Sequence, residues 1–142
     1  PGRSIVADAG MTLYTVGTVK MIPGYKNYVS VDGGMTDNPR FALYKSNYTV
    51  VAASKAEEKC DFPCSLVGRC CESGDILQEN IKLPSTIKRG DLIAVLTTGA
   101  YNYSMSSNYN RIQKLPVVIL NGNEDYVAVK RETLDDIIRN DV

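Results

Sequence analysis

Four cysteines, Cys60, Cys64, Cys70 and Cys71, fall within twelve positions of a chain that contains no histidine. Grouped thiols can hold zinc, pair as disulfides, or act singly in proton transfer or nucleophilic attack. The spacing here is C-x3-C-x5-C-C. Structural zinc sites use C-x2-C-like knuckles, and adjacent residues of a strand point to opposite faces, so no metal is expected. Disulfides require an oxidising compartment, which nothing in the sequence indicates. Buried thiols account for Cys60, Cys64 and Cys70. Cys71 differs, because Glu72, Ser73, Gly74 and Asp75 follow it. Polar residues around a glycine at a strand exit form a functional loop more readily than a core.

Such a loop needs a scaffold, and the pattern of the chain supplies a β one. Tyr28 to Asp32 alternates, with Val29 and Val31 on one face. Asp91 to Thr97 is almost uniformly apolar, as in a strand covered on both faces. Val117 to Leu120 and Tyr126 to Val129 flank Asn121-Gly122-Asn123, where Asn-Gly tolerates positive φ and predicts a hairpin. Thr12 to Met21 and Val50 to Ala53 are further strands. Helix is scarce. Thr133 with Asp136 forms a capping box ahead of Leu134, Ile137 and Ile138, and Ser4 to Ala9 allows one turn. The expected class is mostly β, a Greek-key-like barrel or sandwich with one or two short helices.

Composition narrows the partners. A chain of 142 residues makes one domain and can bury about 68% of its unfolded surface, so neither metal nor disulfide is needed for a core. Sixteen basic residues balance sixteen acidic ones. Without a basic surplus to neutralise phosphates, nucleic acid is not an expected partner. No apolar run approaches the roughly 18 residues of a spanning helix, so no membrane is expected either. Pro1-Gly2-Arg3-Ser4 has no initiator Met and no leader-like run, as in the C-terminal part of a longer chain. Asn47-Tyr48-Thr49 and Asn102-Tyr103-Ser104 match the glycosylation sequon, which matters only in a secreted protein. Taken singly, Arg40 after Pro39 and Glu72 read as surface charges.

Several stretches acquire meaning together. Pro1-Gly2-Arg3 resembles the end of a Glu-Pro-Gly-Arg motif whose Glu would precede Pro1. Val31-Asp32-Gly33-Gly34-Met35-Thr36-Asp37 runs on to Pro39-Arg40-Phe41-Ala42-Leu43-Tyr44. Then follow Cys71-Glu72-Ser73-Gly74-Asp75, Gly90-Asp91-Leu92, Gly99-Ala100-Tyr101 and Ser104-Met105-Ser106-Ser107-Asn108-Tyr109-Asn110. In this order the chain resembles the C-terminal part of the diaminopimelate decarboxylases, a family of fold-type III enzymes that use pyridoxal 5'-phosphate.

The resemblance implies a TIM-like barrel that carries the cofactor and its lysine, capped by a C-terminal β-domain. Residues 1–9 would be the exit from that barrel and residues 10–142 the β-barrel domain. Arg3 and Arg40 match the arginines that grip the substrate's distal carboxylate, and Tyr44 the tyrosine beside them. Tyr101 matches a tyrosine that reaches the cofactor phosphate. Cys71 and Glu72 match residues that enter the neighbouring active site of a homodimer, Cys71 as the catalytic thiol. Cys60 and Cys64 receive no role. The implied reaction converts meso-2,6-diaminopimelate to L-lysine and carbon dioxide, in the cytoplasm. The cofactor stabilises the carbanion left at Cα. A thiol, ordinarily protonated at neutral pH, suits its reprotonation. Planar guanidinium suits a carboxylate and Glu72 a distal ammonium. Decarboxylases of ornithine, arginine or a carboxylated polyamine are the nearest alternative, although Cys71-Glu72-Ser73 with Arg40 favours a diacid. A freestanding binding barrel or a zinc-stapled module, decided by metal analysis, are the others.

Overall fold

The structure, a computed structural model, describes residues 1–142. Eight strands carry the fold: β1 (Met11–Ile22), β2 (Lys26–Val31), β3 (Val50–Ala52), β4 (Cys60–Val67), β5 (Ile76–Pro84), β6 (Leu92–Leu96), β7 (Val117–Asn121) and β8 (Glu124–Val129). Four short helices interrupt them: α1 (Arg3–Val6), α2 (Arg40–Tyr44), α3 (Asn102–Met105) and α4 (Leu134–Ile138). No helix is long and apolar enough to cross a membrane.

Six strands form one sheet in the order β3-β6-β1-β2-β4-β5, which curls into a nearly closed barrel. The twelve-residue β1 makes the curl possible by changing partners along its length. Met11 to Thr15 pair with β6, and Val16 to Ile22 pair with β2. The change falls at a register shift between Val16 and Thr18, where Gly17 supplies the backbone freedom of a bulge. The sheet's two edges meet without a strand ladder. Instead Tyr48 N donates to Gln78 Oε1 at 2.9 Å, and Gln78 Nε2 donates to Asn47 Oδ1 at 3.2 Å, tying the lead-in of β3 to β5.

The interior is apolar. Tyr14, Val16, Val29, Val31, Leu66, Leu77, Leu83, Ile93 and Val95 form one buried cluster. Val29, Leu66, Leu77, Leu83 and Ile93 are wholly inaccessible, each contributing about 1.5–3 kcal/mol by burial. β2 and β4 are parallel, so a long crossover must join them. That crossover carries Gly33, Gly34, Arg40 and Tyr44, and it places them at one end of the barrel.

Most expected elements are present, with shifted limits. The hairpin forms, but Asn121 pairs with Glu124, so Gly122 and Asn123 make the turn. Of these only Gly122 has positive φ (63°), the signature of a turn with glycine at its first central position. Apart from the half-buried Val117 and Val129, the residues of β7 and β8 are exposed on both faces. The capping box of α4 is made, Asp136 N donating to Thr133 Oγ1 at 3.2 Å and Thr133 N to Asp136 Oδ2 at 2.8 Å. Helices exceed the expected one or two because four single turns of four or five residues are too brief to leave an apolar period. β4 and β5 come without a clear alternation. Pro63 lies inside β4, opposite Lys82, and the pairing of the two strands shifts register three times.

Candidate active site

Two clusters gather at the end of the barrel that bears the crossover. The first is built on α2. Phe41 is buried and anchors this short helix, which leaves Arg40 at its start facing α3. The Arg40 guanidinium carbon lies 5.3 Å from the ring centres of both Tyr44 and Tyr101, and Nη1 lies 3.8 Å from Met105 Sδ. Flanking ring faces attract the cation and fix its plane. Its Nε is buried without a partner, as is Nδ2 of Asn102 next to Tyr101. Two orphaned donors in one cluster are expensive unless an acceptor arrives from outside.

Arg3 joins this cluster from α1. Its guanidinium sits 5.2 Å from the Tyr48 ring centre, and Nη2 donates to the Thr97 carbonyl at 3.2 Å. Thr97 holds φ at 63°, a strained value for a β-branched residue, and Tyr101 holds 71°. Tyr48 Oη in turn donates to Asn102 Oδ1 at 3.3 Å. Gly2 is packed so tightly on Tyr101 that a Cβ there would overlap the phenol oxygen. Neither Arg3 nor Arg40 pairs with a carboxylate of the chain. Two guanidiniums, held by rings and lacking a counter-ion, make a site for a carboxylate or phosphate.

The second cluster surrounds the paired cysteines. Cys70 is buried and Cys71 exposed, the switch being made by a φ of 53° at Cys71. Burial pushes the Cys70 thiol above its ordinary pKa. Glu72 is exposed, and its carboxylate accepts from Ser73 Oγ at 3.1 Å and from Tyr109 Oη at 3.2 Å. The Ser73 hydroxyl, then the Gly74 amide and the Tyr109 hydroxyl, hold that carboxyl below its usual range. The same bond raises the Tyr109 phenol. Cys71, Glu72 and Ser73 wall an open hollow of about 420 Å³, completed by Tyr25, Tyr28 and the Lys26–Glu79 ion pair.

The structure therefore brings Arg3, Arg40, Tyr44 and Tyr101 together and sets Cys71 and Glu72 apart in a solvent-facing loop. One segment serves both clusters: Tyr101 and Met105 flank Arg40, while Tyr109 reaches Glu72. Sequence reasoning gave no role to Tyr48, Asn102, Met105, Tyr109 or Asn110. The last three lie in the motif Ser104–Asn110 and were discoverable there. Among the cysteines Cys60 departs from expectation, being exposed where a buried thiol was expected, because it opens β4 at the outer end of the strand. Cys64 and Cys70 are buried, and burial raises the Cys64 thiol to about 11.

Residues 5–99 match the family model described as pyridoxal-dependent decarboxylase, C-terminal sheet domain. The chain is 54% identical over 142 residues to diaminopimelate decarboxylase of Bacillus subtilis (strain 168), covering all of this chain and 32% of that protein. It is 50% identical over 141 residues to diaminopimelate decarboxylase of Staphylococcus aureus (strain COL), covering 99% of this chain and 33% of that one. Among solved structures, diaminopimelate decarboxylase from M. jannaschii in complex with L-lysine superposes with a TM-score of 0.90 at 33% identity, covering all of this chain and 32% of that chain. The chain thus spans about a third of the length of the curated relatives it matches.

Proposed function

The chain belongs to the pyridoxal-dependent decarboxylases, as their C-terminal sheet domain, and on that premise we propose that its parent converts meso-2,6-diaminopimelate to L-lysine and carbon dioxide. The observation that carries this reading is Arg40: half-buried between two tyrosines, without a carboxylate partner and with an orphaned Nε. A monocarboxylate such as ornithine gives such a group nothing to bind at its far end. The distal carboxylate of a diamino diacid does.

In this reading Arg40 and Arg3 bind that carboxylate and Tyr44 fixes the plane of the Arg40 guanidinium. Pyridoxal phosphate, when bound by the preceding barrel, stabilises the negative charge that carbon dioxide leaves at Cα. Tyr101 fits its phosphate end: the residue is 45% exposed, its ring stands beside the Arg40 guanidinium, and its phenol oxygen packs on Gly2. Cys71 delivers a proton from Sγ to Cα, and Glu72 receives the distal ammonium. Because both face outward from the Arg40 cluster, they serve a second subunit's site in a homodimer. Residues 1–9 lead out of the barrel, and the enzyme works in the cytoplasm. Relatives bearing the diaminopimelate decarboxylase name at 54% and 50% identity support the substrate.

Carbon dioxide release by the parent enzyme from meso-diaminopimelate, set against ornithine, tests the proposal. Turnover of the diacid is expected to exceed that of ornithine by at least about a hundredfold in kcat/KM, as for a site whose buried charge goes unpaired with the wrong substrate. Equal turnover would transfer the assignment to a diamine-forming decarboxylase.

A further inference from the structure

We infer that Asp75 is a positioning residue for Cys71 and Glu72, acting through the backbone of Cys70. The inference rests on the reading of Cys71 and Glu72 as active-site groups. Asp75 is 4% exposed, yet it forms no ion pair. Its Oδ1 accepts from Met35 N at 2.6 Å and its Oδ2 from Cys70 N at 2.7 Å. One carboxylate thus clamps two backbone segments that are 35 residues apart, the crossover and the cysteine loop.

The approach is possible only because the walls lack side chains. A Cβ on Gly34 would lie 2.7 Å from both carboxylate oxygens and 2.8 Å from Cys70 Sγ, and a Cβ on Gly68 would overlap the same carboxylate. Every polar atom of Cys70 is then engaged. Its N–H goes to Asp75, its carbonyl accepts from Asn110 Nδ2 at 2.6 Å, and its Sγ lies 3.8 Å from Thr36 Oγ1. Beyond this fixed residue the chain takes its positive-φ step, and Cys71 emerges exposed, as a free thiol. Asp75 also closes the loop from the far side, Asp75 N donating to the Glu72 carbonyl at 3.0 Å and the Asp75 carbonyl accepting from Gly68 N at 2.9 Å. The loop is stiff at its foot and free at its tip, so the aim of Cys71 and Glu72 is set by the clamp. An asparagine retains one acceptor and turns an amide NH2 toward the other N–H, so it releases half the clamp without changing size.

The test is a double-mutant cycle in the full-length, cofactor-loaded parent enzyme, with Asp75→Asn, the Cys71→Ala/Glu72→Ala pair, and all three changes together. Asp75→Asn alone is expected to lower kcat by about ten- to a hundredfold, as for small misplacements of catalytic groups, with the KM of the diacid changed far less. In the Cys71→Ala/Glu72→Ala background the same change should cost less than about twofold, because there is nothing left to aim. An equal loss in both backgrounds overturns the inference and makes Asp75 a purely structural residue. If Cys71→Ala/Glu72→Ala itself costs nothing, the site reading falls and the inference falls with it. Should Asp75→Asn not fold, as judged by circular dichroism, Asn110→Ala removes the other pin on Cys70. It is expected to give the same non-additive pattern, and additivity there overturns the inference equally.

Discussion

Arg40 and Glu72 are both charged groups at one end of one barrel, and they are held in opposite ways. Arg40 is fixed by its side chain: rings on two sides, sulfur at its tip, burial around Nε. Glu72 is exposed and touches only its own loop and Tyr109, while the backbone beneath it is clamped. A cation pre-oriented by packing has lost its side-chain entropy before a ligand arrives, and so can read the ligand's shape. A carboxylate on a stiff backbone with a free tip is suited to reaching across to another surface. The difference supports the proposal that the two charges serve different sites.

The sharpest way to break that comparison is subunit complementation. In the proposed homodimer, the Arg40→Ala and Glu72→Ala parents are each expected to be nearly inactive. Unfolded together and reassembled at equal ratio, about half the dimers are mixed by random pairing across a two-fold axis. In a mixed dimer the Glu72→Ala chain keeps its own Arg40 and receives its partner's Glu72, so one site in two is intact. Activity should rise to roughly a quarter of wild type by the same counting. A mixture as inactive as its parents, with mixed dimers demonstrated, would place Glu72 and Arg40 in the same site.

A smaller effect separates the chemistry of the two charges. Arg40→Ala in the parent should cost about 2–4 kcal/mol in kcat/KM for the diacid, because a buried carboxylate is left unpaired. Analogues lacking the distal carboxylate should lose much less. Equal losses would make Arg40 a packing residue and dissolve the contrast with Glu72.

The two regions also differ in how legible they were. Arg40, Tyr44 and Tyr101 stood in recognisable motifs and converge as side chains, so naming them came close to locating a cluster. The hairpin and the α4 cap were readable because a glycine turn and a Thr–Asp pair are local signals. β4 and β5 were not, since Cys64 and Pro63 hide the alternation of one strand. In the other, Gln78 is buried against Tyr48 and Asn80 takes φ 55°, breaking the period. The foot of the cysteine loop was illegible for a related reason. Asp75 accepts from the amide of Met35, 40 positions away, and no spacing along the chain encodes such a meeting. Cys60 was misjudged because burial in a strand depends on where along the barrel the residue falls.

Asp37 offers the finest test of the stiff foot against the free tip. It is 7% exposed, and its Oδ2 accepts from Gly34 N at 3.0 Å in the turn that Asp75 clamps from the other side. Burial raises its carboxyl from an ordinary 3.8 to about 6; the Gly34 amide and Arg69 oppose the shift, and Asp75 and Asp32 add to it. The native state therefore binds this proton more tightly than the unfolded chain. Its favourable contribution is fully present below pH 4 and is lost as pH rises through about 6. Asp37→Asn keeps an acceptor for Gly34 N and carries no charge. In urea unfolding of the 142-residue chain, the variant should match wild type near pH 4 and exceed it at pH 8 by on the order of 1–3 kcal/mol. The exposed carboxylate of Glu72 gives the control. Its pKa is shifted the other way, so Glu72→Gln should confer no gain in stability on going to pH 8. If Asp37→Asn changed stability by the same amount at both pH values, the carboxyl would be ionised in the fold throughout. The foot of the loop would then be as wet as its tip.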